Sequence, residues 1–234
     1  MEMKISESDI KSLTVKTVAV IGCGVIGISW ATYYLAKGFD VIATDPAQSA
    51  EERLRKMIAE FWPAVERVGL GKGASRERLT FEKDAAKAVQ KADFIQENGP
   101  ERIDIKRELI AQLDDAAPVN TLIATSSSGI LVSDIQDAAK HPERILLGHP
   151  FNPPHLIPLV EVVGGKLTSS EAVQRALAFY TAIGKKPIHI HREMKGHVAN
   201  RLQAALWREA FHLVDQGVVS VAEIDAAIPK WPIE

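Results

Sequence analysis

Residues 17–45, TVAVIGCGVIGISWATYYLAKGFDVIATD, decide the fold. TVAVI is a short apolar, β-branched run, the pattern of a strand buried on both faces. GCGVIG follows at once, and VIGISWATYYLAK, 25–37, reads as a helix closed by Gly38. FDVIATD, 39–45, returns as a second buried strand. Strand, glycine-rich turn, helix and strand form a βαβ unit.

The G-x-G-x-x-G spacing of Gly22, Gly24 and Gly27 is weak evidence alone. Here it lies between a strand and a helix, and Asp45 ends the second strand eighteen residues after Gly27. That context makes it a dinucleotide site. Gly22 permits the tight turn, Gly24 lets the backbone approach a pyrophosphate, and Gly27 lets helix and strand pack closely. The first helical residues, Val25 and Ile26 with Gly27, offer backbone N–H groups to the anion. Asp45 would accept hydrogen bonds from the adenine ribose and repel a 2′-phosphate, which favours NAD over NADP. The competing reading is a plain glycine turn in an α/β domain. Cys23 reads as a small turn residue.

Outward from this unit, helices and strands alternate to about residue 190. The pattern predicts a helix over 47–67, strands at 79–81 and 94–98, a helix over 102–115 and a strand with its turn at 121–129. A helix over SDIQDAAK, 133–140, strands at 145–149 and 159–163, a helix over 170–183 and a strand at 187–190 follow. The expected fold is α/β, a Rossmann-type, mostly parallel sheet with helices on both faces. After that, HVANRLQAALWREAFHLVDQ, 197–216, and VSVAEIDAAI, 219–228, read as helices. The expected organisation is an N-terminal extension over 1–14, a dinucleotide-binding domain over 15–192 and a partial, all-helical region over 193–234.

Composition narrows the function classes. The chain has 234 residues, a net charge of -2, 46% hydrophobic and 25% charged residues. It lacks the concentrated basic surplus of a nucleic-acid binder. The single cysteine permits no internal disulfide. The N-terminal residues lack a signal-peptide core, and no window approaches 18 uninterrupted apolar residues. A soluble, cytoplasmic protein with no membrane or nucleic-acid partner is expected.

A second stretch carries chemistry: GHPFNPPHLIPLVEVVGG, 148–165. Glu161 shares a strand face with Leu159 and Val163, and a carboxylate in an apolar row needs a partner. His149 ends the preceding strand, where doubly wound sheets build their ligand crevice. A His facing a carboxylate is held in one tautomer and stabilised as the imidazolium. Such a pair suits proton removal from an alcohol. The bland alternative has His149 capping a strand and Glu161 pairing with a surface cation. Ser128, in TSSSG, 125–129, offers a hydroxyl after a buried strand, and a cap loop is the rival reading there. A nucleophilic triad of Ser128, His149 and an acid lacks a G-x-S-x-G elbow. Asn200 stands early in a helix, where a cap is the alternative. His189 and His191 alternate on one strand without a Cys/His cluster, so no metal site is expected.

In this order, GCGVIG, TSSSG, GHPFNPPHLIPLVEVV and GHVANRL resemble the 3-hydroxyacyl-CoA dehydrogenase family over about residues 15–228. The H-P-x-N-P-P segment resembles the branch of the carnitine and gulonate dehydrogenases, which also includes a crystallin. The resemblance implies that His149 is the catalytic base, oriented by Glu161, with Ser128 and Asn200 on the substrate oxygen. It implies that Glu101, Lys106 and Asn152 help hold NAD. It implies oxidation of a 3-hydroxyl to a ketone, on a carnitine- or gulonate-like 3-hydroxy acid or a 3-hydroxyacyl-CoA. The CoA-binding members carry a lysine-rich helical hairpin after the second strand, and 47–78 has fewer lysines, which leans towards a free acid. The family continues through further helices that wall the cleft and form a homodimer, whereas this chain stops at IPKWPIE. A shortened helical region, with its dimer and activity in question, is therefore expected. The alternative is a non-catalytic NAD-binding or crystallin-like structural protein. An apolar stripe over 198–213 adds an expectation of self-association.

Overall fold

The computed structural model describes residues 15–228. The expected extension over 1–14 and the tail PKWPIE, 229–234, lie outside the described residues. The chain divides into two compact units, Met1–Lys195 and Gly196–Glu234.

The first unit is an eight-stranded sheet flanked by helices. Its strands are β1 (Thr17–Ile21), β2 (Asp40–Thr44), β3 (Leu79–Phe81), β4 (Phe94–Glu97), β5 (Leu122–Thr125), β6 (Ile145–Pro150), β7 (Leu159–Gly164) and β8 (Lys186–His189). They lie in the order β3-β2-β1-β4-β5-β6-β7-β8. Every neighbouring pair is parallel except β6 and β7. The helices are α1 (Val25–Ala36), α2 (Ala50–Val68), α3 (Ala85–Val89), α4 (Ile103–Ala116) and α5 (Ser170–Ala182).

Strand alternation sends side chains to two cores. Val18, Val20, Val41, Phe94, Leu146 and Val162 pack with Trp30 and Tyr34 of α1, Leu54 of α2 and Phe179 of α5. Ala19, Ile95, Ile123, Ile145, Leu147 and Val163 pack on the other face with Val89 of α3 and Ile110 and Leu113 of α4. The sheet thus has helices on both faces, the Rossmann-type arrangement. Helix α1 carries no charge and is buried from Gly27 to Ala36, as suits a helix between a sheet and a second helix.

One helix differs from expectation. SDIQDAAK forms two 3-10 turns, Val132–Asp134 and Gln136–Ala138, instead of an α-helix. The Ser133 N–H and hydroxyl both go to the Glu193 carboxylate, and so short a segment does not recover the cost of nucleating an α-helix. Helix α3 has no counterpart in the expected elements. Asp84 caps it through the N–H groups of Ala86 and Lys87.

The second unit contains α6 (Ala199–Asp215) and α7 (Val221–Ala227). Ser220 and Glu223 close a capping box at the start of α7. Leu202, Trp207 and Phe211 of α6 are exposed. Among the described residues no helix is long and apolar enough to cross a membrane.

Candidate functional site

Strand order reverses at β1, which lies between β2 and β4, and ligands of such sheets bind beyond the strand ends at that point. A cleft of about 750 Å³ opens there, lined by Gly22, Gly24, Asp45, Arg53, Asn98 and Gly99 among others. Gly22 has φ +88°, and a Cβ on it would meet the Asn98 carbonyl oxygen at 2.7 Å. A Cβ on Gly27 would lie 1.8 Å from the Gly22 oxygen, so helix and turn touch backbone to backbone. A Cβ on Gly24 would meet no protein atom within 4 Å. Packing therefore does not demand glycine at position 24, and the open space there leaves room for the close approach of a ligand. The cradle fits a dinucleotide pyrophosphate beside the N–H groups of Val25, Ile26 and Gly27.

Asp45 braces this turn. Its carboxylate accepts the Cys23 N–H at 2.8 Å and the Ala47 N–H at 2.9 Å. Each oxygen keeps acceptor capacity for a ribose hydroxyl. Arg53 donates to the Cys23 carbonyl at 3.0 Å. Burial, with the Asp45 charge, pushes the Cys23 thiol up to about 12 against the opposing pull of Arg53, so it stays protonated and inert.

Lys106 and Glu101 shape the neighbouring loops. The Lys106 ammonium is buried and donates to both Glu97 oxygens, at 3.0 and 2.8 Å, and to the Gly99 carbonyl at 3.3 Å. The Thr125 hydroxyl and the Gly99 N–H, each at 2.5 Å, also reach Glu97. These bonds offset the desolvation of a fully buried ion pair. The three N–H donors of Lys106 thus point into the protein, and it shapes the cleft through the Gly99 loop. Glu101 accepts from the Ser127 hydroxyl at 2.6 Å and from the N–H groups of Gly129 and Ile130 at 2.7 and 3.1 Å. Burial raises its carboxyl, but these bonds and the Lys106 charge together bring it below the usual range. Glu101 therefore folds the TSSSG turn.

The turn delivers Ser128 to His149. Strands β6 and β7 run antiparallel with His149 directly opposite Glu161, so both side chains share one face. His149 Nδ1 lies 2.9 Å from Glu161 Oε2. Glu161 is 0% and His149 4% exposed. A carboxylate only accepts, so Nδ1 carries the proton and Nε2 is the acceptor. Ser128 Oγ lies 3.1 Å from that Nε2. The Phe151 ring meets the imidazole edge-on at 5.2 Å.

The proline-rich connector between β6 and β7 is tied down at two points. Ser29 Oγ of α1 contacts His155 Nδ1 at 2.7 Å and accepts the His155 backbone N–H at 2.9 Å, while Phe61 stacks on the ring at 4.5 Å. Lys185 donates to the carbonyls of Pro154 and, at 3.0 Å, Ile157, and its ammonium lies 3.7 Å from the centre of the Tyr33 ring. Burial and the Lys37 charge bring Lys185 down to about 7. Burial and the Lys185 charge lower His155. Asn152 lies exposed on this connector, before a cis bond to Pro153.

Asn200 stands in the first turn of α6, in the second unit, and Val198 occupies the N-cap position. Sequence reasoning overlooked Gln96, Glu97 and Asn98. Their signal was present: FIQEN sets three polar residues at the end of a strand, and Gln96 and Glu97 are both 0% exposed. Among the described residues no group of three or more His, Cys, Asp or Glu is placed to hold a metal ion.

The order Ser128, His149, Glu161 also has the outline of a hydrolase triad. Two observations count against that chemistry. Ser128 is not at positive φ, which among described non-glycine residues occurs only at His197, so the strained nucleophile elbow is missing. The N–H groups of Gly129 and Ile130, the natural oxyanion donors, bond a carboxylate instead.

Comparison with known proteins agrees with this geometry. Residues 17–194 match the model of the 3-hydroxyacyl-CoA dehydrogenase NAD-binding domain, and 196–231 match that of its C-terminal domain. L-carnitine dehydrogenase of Streptomyces griseus is 53% identical over 218 residues, which are 93% of this chain and 65% of that protein. L-carnitine dehydrogenase of Pseudomonas putida is 50% identical over 92% of this chain and 67% of its own length. The chain thus spans about two thirds of the length of these relatives. Among solved structures, 3-hydroxybutyryl-CoA dehydrogenase of Escherichia coli K12 superposes with a TM-score of 0.81 at 32% identity, covering 89% of this chain and 44% of that one. An NAD+-dependent dismutase, 5-formyl-3-hydroxy-2-methylpyridine 4-carboxylic acid 5-dehydrogenase, gives a TM-score of 0.85 at 32% identity, covering 94% of this chain and 71% of that one.

Proposed function

The chain belongs to the 3-hydroxyacyl-CoA dehydrogenase family, and on that premise we propose that it oxidises the 3-hydroxyl of a small, carnitine-like 3-hydroxy acid with NAD. The observation that carries the reading is the buried His149–Glu161 pair, with Ser128 at the Nε2 of the imidazole. His149 Nε2 takes the proton of the substrate hydroxyl, and Glu161 stabilises the resulting imidazolium through Nδ1–H. The Ser128 hydroxyl marks where the substrate oxygen sits and donates to it once it is there. Gly22, Gly24, Val25, Ile26, Gly27 and Asp45 hold the cofactor, Glu101 and Lys106 help hold it by ordering the loops around it, and Asn152 helps hold it from the connector. NAD, when bound, supplies the hydride acceptor. In the reverse direction the imidazolium returns its proton to the alkoxide. Asn200 is assigned to the substrate oxygen as well, from the GHVANRL match.

Two features favour a free acid over a CoA thioester. Relatives near half identity include the carnitine dehydrogenases of Streptomyces griseus and Pseudomonas putida. The segment after β2 is a single helix, α2, then a loop, and its lysines are Lys56 and Lys72. The test is NADH formation at alkaline pH with L-carnitine, L-gulonate and L-3-hydroxybutyryl-CoA, beside a His149→Ala control. Turnover on L-carnitine that the control loses supports the reading. NADH binding without turnover on any substrate replaces it with a non-catalytic NAD-binding protein.

A further inference from the structure

We infer that Gln96 is a positioning residue that holds Ser128 and His149 at their working separation and ties that pair to the dinucleotide cleft. The consequence for turnover rests on the dehydrogenase reading; the positioning itself does not.

The β5–β6 ladder ends at the pair Thr125 and Leu147. The next residue on each side is Ser126 and Gly148, and from there the two backbones go on to Ser128 and His149. The ladder itself fixes the separation only as far as that last rung. The Gln96 side chain spans that point from β4. Its Nε2 donates to Ser126 Oγ at 2.9 Å and to the Gly148 carbonyl at 3.2 Å, with the Ala124 carbonyl at 3.4 Å.

The orientation of the amide is forced. The two carbonyls accept only, so the nitrogen must face them. Its Oε1 then accepts from Tyr34 of α1 at 3.0 Å and Tyr180 of α5 at 2.7 Å. Burial raises both phenols, which therefore remain donors. Gly148 belongs to the same device, because a Cβ there would fall 2.1 Å from the Tyr180 oxygen. From Ser126 the hydroxyl donates to Asn98 Oδ1 at 2.8 Å, and Asn98 returns to the Gln96 carbonyl at 2.8 Å. Asn98 lines the cleft. One buried side chain thus links two helices, three strands, the Ser128 turn and the cleft wall.

A buried amide that served stability alone would leave the Ser128–His149 contact independent of it. The test is a double-mutant cycle in the full chain. Ser128→Ala is compared in the wild type, in Gln96→Met and in Ser126→Ala. We expect Gln96→Met to lower kcat roughly tenfold or more and to change NADH affinity much less, and Ser128→Ala to add little to it, because residues in one network couple. Ser126→Ala cuts the turn end and leaves the tyrosine bonds intact, so it carries the test if Gln96→Met fails to fold. Ser128→Ala costing the same factor in every background overturns the inference. The same cycle is read by ¹⁵N NMR of His149, assigned by its loss in His149→Gln. The Nε2 signal responds to Ser128→Ala in the wild type and stops responding in the Gln96 and Ser126 variants. A response retained in both variants overturns the inference even if the wild type turns over no substrate, an outcome that would separately remove the dehydrogenase reading.

Discussion

The two ends of the sheet solve different problems by different means. Around β1, α1 and β2, the cofactor cradle comes from one continuous stretch of chain and consists mostly of backbone. Gly22 and Gly27 remove side chains so that main-chain atoms can meet, and Asp45 locks the turn by accepting two N–H groups. Around β6 and β7, the Ser128–His149–Glu161 cluster to which we assign proton transfer consists of side chains from three separate segments, two of them joined by the one antiparallel pairing in the sheet. The first region tolerates error poorly in shape; the second tolerates it poorly in charge. Substitutions at the two should therefore fail differently.

The largest effect is expected at the second region. His149→Ala removes the base, and turnover should fall by about 10²- to 10⁴-fold while NADH binds as before. Stopped-flow kinetics with NADH fluorescence separates the two quantities. Weakened NADH binding in this variant would show that the regions are not separable.

Gly27→Ala should give the opposite pattern. Its Cβ would lie 1.8 Å from a backbone oxygen, so helix or turn must shift, at about 1–3 kcal/mol. NADH affinity should drop by roughly tenfold to a hundredfold, with a fall in unfolding midpoint. Isothermal titration that finds wild-type affinity would show the cradle to be more pliable than its contacts imply.

Glu161→Gln keeps the shape of the pair and removes its charge. A hydrogen bond to a charged group is worth about 1.5–3 kcal/mol, so kcat should fall about tenfold to a hundredfold. That is a smaller loss than for His149→Ala, and NADH affinity should not move. An unchanged kcat would assign Glu161 to packing.

The smallest effect concerns stability and sharpens the role of the connector. Lys185 has its folded-state value brought from 10.5 down to about 7. Below about 7 it is protonated in both states, and the cost of burying that charge is present in full. Between about 7 and 10.5 the unfolded chain binds more protons, so this group's contribution to stability rises with pH. Denaturant unfolding should show wild type gaining on Lys185→Met between about pH 7 and 10. A flat difference would mean that the carbonyls of Pro154 and Ile157 and the Tyr33 ring keep the ammonium charged throughout.

Much of this was legible in the residues. Strand and helix periods are local, so the β1–α1–β2 unit, its glycines and the parallel α/β order follow from short windows. A need for a partner at Glu161 follows from one charged residue in an apolar row. SDIQDAAK was misread because its first residue, Ser133, bonds a residue far along the chain, Glu193, which no local window contains. Gln96 was overlooked for a related reason. One polar letter in a strand does not say whether the side chain meets water or five protein partners.

The sequence by itself determined the sheet-and-helix order, the dinucleotide turn and its acidic residue, because these depend on near neighbours and backbone stereochemistry. Only the tertiary structure decided that β7 runs against β6, that His149 consequently faces Glu161, and that Lys106 turns inward while Gln96 bridges β5 and β6 past their last paired residues. Those outcomes depend on strand direction and on which distant groups satisfy each buried donor and acceptor, and both are settled when the whole sheet packs.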